Sequence, residues 1–196
     1  GQIAEEKIKA IDLLDELIKK DEANEGEFQK ILEDAPWLID PKWIPLTANQ
    51  TLATFRNEFQ SWYKKEYGEE LITTTEIDYG TKRPDFILLH LGNYLVIIEI
   101  KPPKHVFGDE DFTRLERYHD ALKEYLKINP SIAKLFPDGV KIILIRDSEK
   151  LSPTQTKAIE LLKTKGLQTF RWSELLMNTK RNHQEFLDAR SAMRKK

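Results

Sequence analysis

The sequence contains no cysteine. This absence excludes disulfide bonds, a thiolate nucleophile and zinc sites built on cysteine ligands. The four histidines, His90, His105, His119 and His183, include no pair at i and i+4, which excludes the paired histidines of a zinc-peptidase helix.

Long apolar runs and an excess of basic charge are also missing. No apolar run approaches the roughly 18 residues that span a bilayer, and no signal peptide is recognisable behind the charged N-terminal segment. We therefore expect a cytoplasmic location and no membrane partner. A net charge of −2 and a pI near 6.2 exclude a generally basic nucleic-acid binder, so DNA binding would need a local basic patch.

The most informative stretch is a predicted β-hairpin. Two apolar runs flank Gly92-Asn93, and β-branched residues dominate the second run. Asp85 opens the first strand, while Glu99 and Lys101 close the second and share a face because side chains alternate along a strand. Two carboxylates and a lysine can hold a hard divalent cation beside a phosphate. The alternative is an ordinary salt bridge at the end of a hairpin.

The register of this hairpin matters for the metal hypothesis. A two-residue turn at Gly92-Asn93 would place Asp85 opposite Ile100, and Asp85 and Glu99 would then point to opposite faces. The metal site therefore predicts an odd loop or a bulge, such as a loop over residues 91–93, which pairs Asp85 with Glu99. A strict two-residue turn without a bulge would count heavily against a shared metal site.

A second candidate segment is a helix predicted over 25–34, with Asn24 as its cap. Glu25 lies on the same face as Phe28, Gln29 and Leu32, at helical spacing, whereas Glu27 lies roughly opposite. An acid on the apolar face is the less expected of the two, so Glu25 is the candidate site residue. The alternative is that Glu25 only complements the positive helix N-terminus.

The remaining patterns predict a mixed α/β fold with an α+β mixed sheet. The predicted helices cover 2–20, 25–34, 52–66, about 108–127 and 153–164, with a last helix capped by Ser173. The predicted strands are 71–79, the two hairpin strands, 140–146 and a short edge strand at 167–171. A hairpin strand, a helix and a buried strand form a crossover, so 140–146 should run parallel to 94–101.

The order helix, β-β-β, helix, β, with Pro84-Asp85 on the second strand and Glu99-x-Lys101 on the third, resembles the PD-(D/E)xK nuclease superfamily. The resemblance covers roughly residues 24–172 and implies a restriction-endonuclease-like core with flanking helices. It divides the chain into a helical extension at 1–22, a nuclease-like domain at 23–178 and a basic tail at 179–196. We expect that tail to be mobile or to pack, not to act as a DNA arm.

A narrower resemblance is to the nuclease domain of the Shedu anti-phage defence proteins. Its motifs are Glu25 followed by Phe28-Gln29, then residues 35–39 (Ala-Pro-Trp-Leu-Ile), and the Glu-x-Lys strand. Related nucleases often carry Gln-x-x-x-Tyr on the next helix, where this chain has Arg114-x-x-x-Tyr118; the Tyr matches and the Gln does not. The resemblance implies a metal-dependent endonuclease that assembles as a dimer or tetramer and answers to a sensor region.

The resemblance also implies roles for the candidate residues. Asp85, Glu99 and the Ile100 carbonyl would bind Mg²⁺, with Mn²⁺ as a substitute, and Lys101 would hold the attacking water or the phosphate. Glu25 and Gln29 would complete the catalytic set from the other side. We expect about half of the flanking candidate residues to contact DNA. These candidates are Lys82, Arg83, Lys104, His105, Arg114, Arg117 and Tyr118.

Two other hypotheses stay open. One is a nucleic-acid-binding module that keeps the catalytic residues but is inactive without a partner or sensor. The other is an oligomerisation domain with a nuclease-like fold.

Overall fold

The computed structural model describes residues 1–44 and 50–195, and the fold is mixed α/β. Its helices are α1 (Gln2–Lys19), α2 (Glu25–Asp34), α3 (Gln50–Tyr67), α4 (Asp109–Ile128), α5 (Pro130–Ala133), α6 (Pro153–Thr164), α7 (Trp172–Asn182) and α8 (Gln184–Arg194). Lys196, the last residue of the predicted tail, lies outside the described residues.

The strands form one mixed sheet and one small accessory sheet. They are β1 (Ile87–Leu91), β2 (Tyr94–Ile100), β3 (Val106–Gly108), β4 (Gly139–Ile145), β5 (Ser148–Lys150) and β6 (Leu167–Phe170). The main sheet has the order β1-β2-β4-β6, with β1 antiparallel to β2 and the other neighbours parallel. The predicted parallel crossover between β2 and β4 is therefore confirmed. Within the described ranges, β3 and β5 pair with each other and with no other strand.

The predicted strand at 71–79 is wrong. Residues 71–74 are extended, but in place of a ladder their carbonyls accept two separate bonds, from Asp85 N to Ile72 O (2.8 Å) and from Leu88 N to Thr73 O (3.0 Å). The predicted three-stranded meander is thus a two-stranded hairpin with an extended segment beside it. The hydroxyls of Thr74 and Thr75 instead donate to the buried Glu33, so this β-branched stretch serves a side-chain network.

The predicted odd loop in the hairpin is also wrong. Leu91 pairs with Tyr94 across a two-residue turn, and every pair down to Ile87 with Ile98 keeps this register without a bulge. Gly92 has a φ of +59°, the left-handed conformation that such tight turns need and that glycine adopts without strain. The two-residue turn forms in place of the predicted odd loop because Gly92 adopts the positive φ that this turn needs.

The ladder between β1 and β2 nevertheless stops before it reaches Asp85. Ile87 is the last paired residue, and the chain bends at Asp85 and Phe86. Strand alternation fixes the face of a side chain only while the residue stays in the pleated strand. The two-residue turn therefore does not by itself direct Asp85 and Glu99 to opposite faces.

The ends of the chain pack on the rest of the protein. Ile11 and Leu14 of α1 are fully buried and belong to the same core as the sheet. The segment predicted as a tail contains α8, where Arg190 forms a 2.6 Å ion pair with Asp12 of α1. The predicted Ser173 cap is wrong, because α7 begins at Trp172 with Arg171 as its N-cap residue. In the described part of the chain, no helix combines the length and apolarity needed to cross a bilayer.

Candidate active site

Helix α2 delivers two side chains to the candidate site, and its N-terminal cap fixes where it begins. The Asn24 side chain accepts a bond from Glu27 N (2.9 Å), and the Glu27 carboxylate accepts one from Asn24 N, a capping box. Glu25 is buried, whereas Glu27 is partly exposed and pairs with Lys20. The face assignment made from helical spacing agrees with these positions.

Gln29 joins α2 to the segment that carries Asp85. Its Nε2 donates to the carbonyl oxygen of Pro84 at 2.9 Å, and the side chain is almost fully buried. Its Oε1 atom is buried and has no hydrogen-bond partner among the described residues. A buried acceptor without a donor is unfavourable by about 1–3 kcal/mol, so this atom marks a position where a donor is expected.

Asp85 is held by the extended segment beside the hairpin. Its backbone N–H donates to Ile72 O, and its Oδ2 accepts a bond from Ile72 N at 2.9 Å. Its Oδ1 lies 3.5 Å from the hydroxyl of Tyr118. Burial raises the pKa of the Asp85 carboxyl above its ordinary value, although the Ile72 N–H, the Tyr118 hydroxyl and Arg114 favour the charged form.

Helix α4 supplies Arg114 and Tyr118, one turn apart. Tyr118 is buried, and its pKa is raised first by burial and then by the negative charge of Asp85, with a smaller effect of Glu99. Arg114 is half exposed and favours the ionised forms of both Asp85 and Glu99. This pair therefore lies near both carboxylates that the sequence assigned to the metal.

Glu99 is the most perturbed carboxylate of the group. It lies near the end of β2, paired with Leu144 of β4, and its side chain is buried. The pKa of Glu99 is well above its ordinary value, first because of burial and then because of repulsion by Glu25; Lys101 and Arg114 act in the opposite direction. Ile100, whose carbonyl was expected to join the metal, follows Glu99 and has no partner in β1.

Lys101 is fixed at both its backbone and its side chain. Its N–H donates to Ile145 O at 2.9 Å, and its carbonyl accepts a bond from the Trp172 indole Nε1 at 2.7 Å. Its Nζ forms a 3.1 Å ion pair with Asp111. Lys101 lies close enough to Glu99 to favour its ionised form, but its ammonium group contacts a carboxylate that the sequence did not assign to the site.

Asp111 is the residue that sequence reasoning missed. Its Oδ1 contacts Lys101 and also Arg114 (2.7 Å), while its Oδ2 accepts the Gly108 N–H at 2.9 Å at the start of α4. Burial acts to raise the pKa of Asp111, but Gly108, Lys101 and Arg114 together hold it below the ordinary value. In the sequence, Asp111 lies three residues after Gly108 and three before Arg114. This position indicated only the start of a helix.

Glu25 has its own cation. Its Oε2 lies 2.9 Å from Nη2 of Arg83, which is largely exposed. Burial raises the pKa of Glu25, while Arg83 and Lys101 lower it and Asp111 raises it. Two neighbouring buried carboxylates with raised pKa values, Glu25 and Glu99, form the kind of pair that enzymes use for proton transfer or cation binding.

The ion pairs leave an uneven charge distribution. Arg83 neutralises Glu25, and both Lys101 and Arg114 contact Asp111. Among the residues that the structure describes, Glu99 makes no hydrogen bond or ion pair, and Asp85 contacts only the neutral donors of Ile72 and Tyr118. The two carboxylates without a bound cation are therefore the two that the sequence assigned to a metal.

These residues suit a magnesium ion only with help from water and substrate. Within 1–44 and 50–195, no three acidic, histidine or cysteine side chains converge into a complete metal cluster. Mg²⁺ is commonly held by one or two carboxylates, several waters and substrate phosphates, so a site with two carboxylates is sufficient. The unsatisfied Oε1 of Gln29 can accept a bond from a water in such a hydration shell.

The other expected DNA contacts are less centrally placed. Lys104 is exposed and pairs with Asp21, and Lys82 pairs with Glu70. Arg117 pairs with Glu69 (3.2 Å) and lies over the ring of Tyr118. His105 is exposed and close enough to favour the ionised form of Glu25.

Comparison with known proteins leaves the family open. Neither the family models, the curated proteins nor the solved structures include a match to this chain. The function is therefore inferred from the residues described above.

Proposed function

We propose that this protein is a Mg²⁺-dependent endonuclease that hydrolyses phosphodiester bonds of DNA. The observation that carries the proposal is the charge distribution of the site. Among the described residues, Asp85 and Glu99 form no ion pair, while Arg83, Lys101 and Arg114 each pair with another acid. Removing a carboxylate from water is unfavourable unless a counter-charge is present, so this arrangement favours a bound cation.

The residues of the chain have distinct roles in this proposal. Asp85, Glu99 and the Ile100 carbonyl would hold the cation, and Ile72 and Tyr118 orient Asp85 by hydrogen bonds. Mg²⁺ bound there would offset the negative charge that develops on the attacked phosphate and would lower the pKa of a water.

Lys101 is the residue that meets the substrate phosphate. Its ammonium group contacts the half-buried Asp111, so an incoming phosphate competes with that carboxylate for it. Glu25 is placed to take a proton, because its raised pKa makes it a better base than an ordinary glutamate. Gln29 positions Pro84, and through it Asp85.

The proposed substrate class is inferred from cations that lie near the candidate carboxylates. Arg83 and Arg114 are 60% and 50% exposed, and His105 is also exposed, so these groups can contact the phosphates that flank the cleaved bond. A protein with a net charge of −2 needs a local basic patch to bind DNA, and these residues would form that patch.

The finer classification is part of the proposal. The pairing of antiparallel β1 with β2, followed by parallel β4, suits a restriction-endonuclease-like core, and the Glu25 and Gln29 motif suits a Shedu-type nuclease of prokaryotic anti-phage defence. On that basis we propose a cytoplasmic homo-oligomer, a dimer or tetramer, that responds to a sensor region or partner.

A plasmid-nicking assay tests the proposal. Purified protein is incubated with supercoiled plasmid and Mg²⁺ or Mn²⁺, and open-circular and linear products are measured over time. We expect Glu99→Gln, Asp85→Asn and Lys101→Ala each to lower the cleavage rate by about 100-fold or more. Glu6→Gln and Lys65→Ala change the same residue types at exposed positions away from the site, and they should cleave like the wild type.

Circular dichroism confirms that each variant is folded before rates are compared. Cleavage that persists unchanged in all three site variants would contradict the assignment. Binding of DNA that weakens with salt, without cleavage under either metal, would favour the nucleic-acid-binding module instead.

A further inference from the structure

A second concave site lies at the other end of the sheet. It is a groove of about 470 Å³ between the C-terminal half of α4, the turn before β4 and the end of α6. Its polar lining consists of His119, Lys123, Lys127 and Lys165.

This groove is separate from the candidate active site. It includes Gly139, which pairs with Tyr94 at the start of β2, whereas Glu99 and Ile100 lie at the end of that strand. Six residues separate Tyr94 from Ile100, and at about 3.3 Å per residue these two ends of β2 are roughly 20 Å apart along the sheet. A ligand in the groove therefore does not depend on the nuclease chemistry.

The cations of the groove lack acidic partners. Many lysines of this protein pair with an aspartate or glutamate, as Lys163 does with Glu160 at 2.8 Å. In the described ranges, the side chains of Lys123, Lys127 and Lys165 form neither an ion pair nor a hydrogen bond. All three lysines are exposed, and three positive charges around one cavity raise the local concentration of anions.

A buried imidazole lies among these lysines. His119 is 7% exposed, makes no hydrogen bond among the described residues, and has one acidic neighbour, Asp120, at 4.0 Å. Burial lowers the pKa of His119, and the positive charges of Lys123 and Lys165 lower it further. The imidazole thus reports a positive potential inside the groove, and its ring nitrogens remain available to a ligand.

The rest of the groove lining is apolar. Leu126, Phe136, Pro137 and Val140 line it, and Phe136 and Leu126 are largely buried. A volume of this size with an apolar wall and a few convergent polar groups is typical of a small-molecule site.

We propose that this groove binds a nucleoside di- or triphosphate. The phosphates contact Lys123, Lys127 and Lys165, the imidazole of His119 bonds a phosphate or ribose oxygen, and the base packs against Phe136 and its apolar neighbours. Lysine ammonium groups bind phosphate oxygens through charge-assisted hydrogen bonds.

The shape of the charged surface favours a compact ligand over a polynucleotide. DNA backbones are bound by cations spread along an extended track, since each contact meets a different phosphate. The cations here converge on one cavity, which suits several phosphates on a single molecule.

Isothermal titration calorimetry of the full chain with ATP and ADP, in EDTA, tests the proposal without metal-dependent cleavage. We expect the wild type to bind ATP, and Lys123→Gln/Lys165→Gln to bind it at least about tenfold more weakly. The matched control is Lys65→Gln/Lys157→Gln, which removes the same charge from two exposed positions outside the groove and should bind like the wild type.

Two further measurements identify the ligand class. Proton–nitrogen spectra of the four histidines should show the His119 ring signals moving with ATP while those of His183 stay in place. Tripolyphosphate should bind more weakly than ATP, because it lacks the base that packs on the apolar wall.

Several results would overturn the proposal. These are absence of ATP and ADP binding by the wild type, an equal loss in the control variant, or tripolyphosphate that binds as tightly as ATP. A short DNA duplex that moves the His119 signals at lower concentration than ATP would also overturn it, in favour of a polynucleotide site.

Discussion

The buried ion pair between Arg56 and Glu33 allows a sharp test of how the candidate site is supported. Arg56 of α3 is 3% exposed, and its Nε and Nη2 donate to Leu88 O of β1. Its Nη2 also lies 3.5 Å from Glu33 of α2. This one side chain therefore joins two helices and the edge of the sheet.

The expected effect of Arg56→Met can be worked out from these contacts. Breaking a buried ion pair by removing one partner typically lowers the free energy of unfolding by 3–5 kcal/mol. Glu33 would keep its bonds from the Thr74 hydroxyl and from the N–H (2.8 Å) and hydroxyl (2.7 Å) of Thr75. Because the remaining carboxylate stays hydrogen-bonded, we expect a loss near the lower limit, about 3 kcal/mol.

Urea denaturation of the wild type and Arg56→Met measures this difference, with Arg171→Met as the control for an exposed arginine. In the double variant Glu33→Gln/Arg56→Met, the loss should be smaller than the sum of the two single losses, because both changes disrupt one interaction. A loss below about 1 kcal/mol for Arg56→Met, or strict additivity, would refute the reasoning.

Three other predictions each concern a single residue. The pKa of Glu99 is higher in the folded chain than in the unfolded chain, so the folded chain binds a proton at Glu99 more tightly. The free energy of unfolding therefore falls as the pH rises from the unfolded-state pKa of Glu99 toward its folded-state pKa. Glu99→Gln should therefore be more stable than the wild type at about pH 8 but not near pH 4, where an unfolded glutamate is largely protonated; the same difference at both pH values in denaturant titrations would contradict this. Trp172→Phe leaves the Lys101 carbonyl without its indole donor, and the unfolding free energy should fall by about 1–3 kcal/mol; an unchanged urea midpoint would argue against it. Gly92→Ala places a side chain at a φ of +59°, and calorimetric melting should show a loss of about 1 kcal/mol, whereas an unchanged melting temperature would show that the turn tolerates the substitution.

The sequence was sufficient where local patterns decide the outcome. The helical period and the Asn24 cap predicted α2, and the sequence of strand, helix and apolar strand predicted that β2 and β4 are parallel. The same local logic placed Glu25 on the buried face. These features depend on a few neighbouring residues and on the handedness of crossovers, both of which are readable in a single chain.

Interactions between distant segments were beyond this kind of reasoning. Glu33 bonds residues 74 and 75, more than 40 positions away, and its partner Arg56 is on another helix. Neither the charge pattern nor the helical period of α2 distinguishes Glu33 from an exposed acid. The β-branched residues at 71–75 predicted a strand for the same reason, since composition does not show that Thr74 and Thr75 bind a buried carboxylate.

The hairpin register was predicted wrongly for a different reason. The metal hypothesis required Asp85 and Glu99 on one face, and a bulge was the way to achieve this within a regular hairpin. The chain instead keeps the two-residue turn and leaves the strand before Asp85, whose N–H bonds Ile72. The assumption that Asp85 belongs to the strand was the wrong step.

Asp111 bears on the two explanations that the sequence left for Asp85, Glu99 and Lys101. If Lys101 and Arg114 formed ion pairs with Glu99 and Asp85, the cluster would be the ordinary salt bridge of the alternative hypothesis. Among the described residues, both cations instead pair with Asp111, although they still favour the ionised form of Glu99. Burial of Glu99 without an ion pair raises the free energy of its ionised form, which a bound divalent cation would lower. The contacts of Asp111, which the sequence indicated only as part of a helix start, therefore support the metal site that we propose and that the nicking assay tests.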